Sequence, residues 1–108
     1  MELINKREQE LKLDELLEVL KKEYLPKNYS VFIFGWGKGR SIIVGKTFSV
    51  GVRIFLKPKN VVQIHPKFGS KYAPLLGVGL MIVIAINQRE KKELEKEVYD
   101  FMFSKYAG

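Results

Sequence analysis

Few residues in this sequence of 108 have types and spacing suited to chemistry, and what they suggest is binding rather than bond-making. His65 is the single histidine and there is no cysteine, so neither a thiolate nucleophile nor a sulfur-ligated metal site can be built. No carboxylate stands near His65 in sequence, and no metal-ligand spacing surrounds it. Asp14 and Asp100, the two aspartates, lie in Lys/Glu-rich stretches and read as solvated helix charges, not as a general acid–base pair. Serines 30, 41, 49, 70 and 104 fall in no nucleophile-elbow pattern. The sequence therefore predicts a protein that is not an enzyme and needs no metal or cofactor.

Gly35-Trp36-Gly37-Lys38-Gly39-Arg40 is the segment best suited to contact a ligand. Its glycines let backbone amides approach a phosphate, with Lys38 and Arg40 as counter-charges. It lacks the Gly-Lys-Ser/Thr ending of a P-loop and runs into a strand pattern instead of a helix. A flexible hairpin tip is the competing reading. Trp36 supports contact with a partner, because an exposed indole between glycines is otherwise an aggregation liability.

Charge along the chain is uneven. The net charge is +7, yet residues 1–23 and 90–108 are slightly acidic, and between Glu23 and Glu90 there is no Asp or Glu at all. Ten cations fill that gap: Lys27, Lys38, Arg40, Lys46, Arg53, Lys57, Lys59, Lys67, Lys71 and Arg89. A polypeptide of this kind should present a positive surface to an anionic partner. The expected contact residues are Trp36, Lys38, Arg40, Arg53, Lys57 and Lys59. A nucleic-acid-binding module is the alternative, with cations on phosphates and Phe32, Phe34, Trp36 or Phe55 stacked on bases. A small-ligand-binding domain is a third reading, and it calls for a pocket lined by His65, Lys38 and Arg40.

The run from Ala73 to Ile86 carries no charge over fourteen residues. As a helix it would measure about 21 Å, short of the roughly 30 Å hydrocarbon layer, so spanning a bilayer is disfavoured. Burial as a strand competes with an interfacial role, which Lys67 and Lys71 before it and Arg89, Lys91 and Lys92 after it would favour at anionic headgroups. Tyr72, Leu75, Leu76, Leu80 and Met81 are the residues expected to meet a membrane surface, a protein partner or a second copy in a homo-oligomer. The absence of cysteine and of an evident secretory leader points to a cytoplasmic protein, peripheral at the inner face of the membrane if the lipid reading holds.

The elements that must position these residues follow from periodicity. Leu13, Leu16, Leu17, Leu20 and Tyr24 recur at helical spacing, with Asp14 and Glu15 early, Lys21 and Lys22 late, and Pro26 as the stop. Residues 29–34, 41–44, 48–56 and 61–65 are rich in β-branched and aromatic types and are joined by short turns. In the third of these runs Phe48, Val50, Val52, Ile54 and Leu56 should face one way and Ser49, Gly51, Arg53, Phe55 and Lys57 the other, one face for the core and one for outside. A Lys/Glu-rich helix carrying Leu94, Val98, Phe101 and Met102 closes the chain. The expected fold is α+β within one domain, residues 1–108: an N-terminal helix, an antiparallel meander of four to five strands, the apolar segment as a last strand or helix start, and a C-terminal helix.

Overall fold

The computed structural model describes residues 1–47, 50–67 and 88–107. The architecture is α+β, an antiparallel five-stranded sheet with two helices packed on one side. Strand β1 spans Glu2–Ile4, helix α1 Leu13–Tyr24, β2 Ser30–Phe34, β3 Ser41–Gly45, β4 Gly51–Lys57, β5 Val61–Lys67 and helix α2 Gln88–Met102. The spatial order is β1-β5-β4-β3-β2, a four-strand meander with the N-terminal strand added beside β5.

Helix α1 buries Leu16, Leu20 and Tyr24, a stripe at four-residue spacing. Lys12, at its N-cap, makes no side-chain cap bond, and Asp14 and Glu15 in the first turn place negative charge where the helix dipole favours it. Pro26 tightens the end into a 3-10 turn over Leu25–Lys27, and Asn28 leaves it with a left-handed φ of 64°. On α2, Leu94, Val98 and Met102 form the matching buried stripe. The two helices meet where the Tyr24 ring takes the edge of Phe101, with centroids 5.7 Å apart, and where Lys27 Nζ lies 3.2 Å from Glu97 Oε1.

Register divides the sheet cleanly. Ile42 pairs with Ile54 and Ile54 with Ile64, while Val44 pairs with Val52. With Leu3, Val31 and Val62 these side chains join the helices' stripes in one core cluster. Strand β4 alternates as its sequence requires: Val52 and Ile54 are fully buried and Leu56 packs at the cluster's edge, while Arg53, Phe55 and Lys57 have the opposite parity.

The fifth strand enters from an end of the chain that the sequence pattern left blank. Glu2, Leu3 and Ile4 pair with Gln63, Val62 and Val61. The Met1 ammonium donates to Ile64 O at 2.9 Å, and Lys6 N–H to Tyr106 O at 2.9 Å, so flanking residues hold a strand too short to announce itself. Strand β5 also runs past the expected stop at Pro66, which pairs with Val52. Among the described residues the β1 pairing covers Val61–Gln63 and does not extend to Pro66, so that pairing asks no ladder bond of the proline nitrogen. The expected element at Leu80–Ile86 lies outside the described residues, as do Tyr72, Leu75, Leu76, Leu80 and Met81.

Candidate anion-binding site

Arg53 lies on the side of the sheet away from the helices, and its neighbours fix its guanidinium. Nε–H donates to Ser41 Oγ at 2.6 Å, and that hydroxyl donates onward to Phe34 O at 3.3 Å. One Nη2–H reaches Gly39 O at 3.2 Å. The guanidinium carbon stands 5.2 Å from the centre of the Phe34 ring and 4.4 Å from that of Phe55, a double cation–π arrangement. The register explains the assembly, because Phe34 pairs with Ser41 and Arg53 with Ile43 and His65, so strands β2, β3 and β4 contribute adjacent side chains. Two of the five guanidinium N–H donors are thereby engaged, and none of the bonded partners is a carboxylate.

Around this centre the aromatic and cationic side chains continue. Lys57 Nζ lies 5.0 Å from the Phe55 ring centre, and His65 meets Phe55 edge-on at 6.1 Å. The hairpin 35–40 and the turn 58–60 lie at the same end of the sheet and bring exposed Trp36, Arg40 and Lys59 to that end. The Trp36 indole is 90% exposed. The Lys38 backbone belongs to the Gly37–Gly39 turn. Farther along this side Ile43, Gly45 and Gly51, of the same parity, are buried, while Ser30 on the edge strand is exposed.

Backbone geometry holds the two loops. Gly35 has φ +87°, and a Cβ there would lie 2.7 Å from Gly39 O, the acceptor for Arg53. Only glycine fits that close approach. In the β4–β5 turn Lys59 and Asn60 adopt φ of 65° and 62°. A left-handed lysine is strained by about 1–2 kcal/mol, so the turn keeps a cation where glycine would sit more easily.

The cations of the acid-free stretch that lie among the described residues are not all at one end of the sheet. Arg40, Arg53, Lys57 and Lys59 gather at the Trp36 end, whereas Lys46 follows β3 at the opposite end. Lys27 pairs with Glu23 and Glu97, and Arg89 with Glu93; among the described residues these are the members of the ten that form ion pairs. The hydrogen bond to Glu97 raises the Lys27 pKa above the usual lysine value. Burial lowers that of Lys91, which packs into the first turn of α2. Burial raises the Tyr24 hydroxyl well above the ordinary tyrosine range, helped by Glu97 and Glu23.

A cavity of about 720 Å³ opens at the same end but on the helix side, between the start of α1, the 35–40 hairpin and the β4–β5 turn. Arg40 lines it, whereas His65 lies on the sheet's other side and is not among its lining residues. The sequence did not mark Ser41 or the cavity's leucines as site residues, since only the strand register and the return of residues 10–13 bring them into place. No group of His, Asp or Glu able to hold a metal occurs among the described residues, and no described helix is long and apolar enough to cross a membrane. No family model matches the chain, and neither a curated protein nor a solved structure matches it.

Proposed function

We propose that this protein is a non-enzymatic interaction module that receives an anionic partner at the Trp36 end of its sheet. The observation that carries the reading is Arg53, held between Phe34 and Phe55 and hydrogen-bonded, among the described residues, to neutral groups only. A guanidinium fixed in this way loses little side-chain entropy on meeting a phosphate or carboxylate, and its remaining donors suit a charge-assisted contact. Lys57, Arg40 and Lys59 add positive field at the same end.

Single-stranded nucleic acid is a second reading, favoured by one observation: the Trp36 indole is 90% exposed and free to stack on a base. Phe34 and Phe55 support it less, since Arg53 already lies over both rings. The lipid version draws further support from the uncharged run 73–86 and its basic flanks.

Fluorescence anisotropy with an oligodeoxythymidine and flotation with vesicles, with and without phosphatidylserine, separate these partners. Binding to one polyanion should weaken by about tenfold or more between low and moderate salt. Arg53→Gln should weaken it further, while Lys27→Gln, which removes a cation already paired with Glu23 and Glu97, should not. Salt-independent binding, or equal loss in both variants, would remove the reading; Trp36→Ala weakening the oligonucleotide arm alone would select nucleic acid.

A further inference from the structure

We infer that the cavity on the helix side binds a single-chain amphiphile with a monoanionic head, of the fatty-carboxylate class. Its volume of about 720 Å³ falls within the roughly 300–1,000 Å³ of small-molecule sites. Leu11, Leu13, Leu56 and Val62 supply aliphatic walls, and the first three are only partly covered although they pack on the core. Arg40, Lys57 and one carboxylate, Glu10, are among the lining residues, a net charge of plus one, and the Lys57 ammonium itself lies over the Phe55 ring on the sheet's other side. None of the three forms an ion pair among the described residues. That combination matches an apolar tail lying along the leucines with its carboxylate at Arg40; a neutral chain would leave that cation unused, and a cationic head would face it.

This site is separate from the Arg53 shelf: it lies on the other side of the sheet, and Arg53 is not among its lining residues. The two share only the rim cations Arg40 and Lys57, so one can fail without the other.

The test uses decanoate below its micelle-forming concentration, read by the fluorescence of Trp36, the sole tryptophan, which neighbours the lining residue Gly37. A saturable emission change is expected with decanoate, with hexanoate binding weaker by about tenfold or more for the methylenes it lacks. Decyltrimethylammonium should give no saturable change. Arg40→Gln should weaken decanoate by about tenfold, the loss of one charge-assisted contact. Leu11→Asp, in a loop outside the fully buried core, provides a second variant, with unchanged thermal unfolding as the check on folding. Arg53→Gln should leave decanoate binding intact. The inference is overturned by the absence of saturation, by equal binding of the cationic chain, or by a loss in Arg53→Gln that Arg40→Gln does not share.

Discussion

Strand β4 has two sides that differ by a single step along the chain. Val52 and Ile54 disappear into the helix-side cluster, whose buried members among the described residues carry no polar side-chain atoms but the hydroxyls of Tyr24 and Tyr106. Arg53 and Phe55 point the other way into a group of aromatic rings, a hydroxyl and cations. The first side is what makes the sheet a fold, because burial of each such side chain contributes about 1.5–3 kcal/mol. The second uses the rigidity so obtained to hold a charge still. Substitutions on the two sides should therefore separate stability from binding.

Ile54→Ala should have the largest effect, a loss of about 2–5 kcal/mol in urea unfolding, since the residue is fully buried and paired with Ile42 and Ile64. Anion affinity per folded molecule should hardly change; a variant that folds normally yet loses affinity would blur the division between the two sides. Gly35→Ala comes next, at about 1–3 kcal/mol, because the new Cβ meets Gly39 O in a left-handed backbone. It moves the acceptor of Arg53 and should weaken anion binding as well, so that stability and affinity fall together.

Lys59→Gly should run the other way, stabilising by about 1 kcal/mol through relief of the left-handed lysine, while salt-dependent binding falls by a few-fold. Unchanged binding would show that this cation is idle. The smallest effect at neutral pH belongs to Tyr24→Phe. The Tyr24 hydroxyl is buried, has no hydrogen-bond partner among the described residues, and ionises in the folded protein only well above its unfolded pKa near 10. The unfolded chain therefore releases this proton first as pH rises, so the stability linked to the raised pKa is complete below pH of about 10 and drains away above it. Tyr24→Phe should be close to neutral at pH 7 and should flatten the alkaline decline in thermal stability; an unaltered decline would place its origin elsewhere.

The side that makes the fold was largely readable from the amino acids, because core patterning is local. Leu16, Leu20 and Tyr24 carry helical spacing, and the alternation from Val50 to Lys57 separates the two sides of β4 before any coordinates. Strand β1 was not readable, since three residues carry too little periodicity and their state is decided by pairing with Val61–Gln63. The site was half legible. Arg53, Lys57, Arg40 and Trp36 stood out by charge and setting, but the bracket of Phe34 and Phe55 and the hydroxyl of Ser41 depend on register across three strands. Nor could the acid-free stretch tell which of its cations share an end of the sheet, because a meander sends successive turns to opposite ends and only the register places Arg40, Arg53, Lys57 and Lys59 together.

The most direct test of Arg53 as an anion receiver is an NMR titration of its Nε–H resonance with sodium phosphate, the signal assigned by its loss in Arg53→Lys. A resonance sharpened by the bond to Ser41 and moving saturably with phosphate, but not with matched sodium chloride, is the expected result. A resonance indifferent to phosphate would mean that the bracketed guanidinium serves the sheet alone.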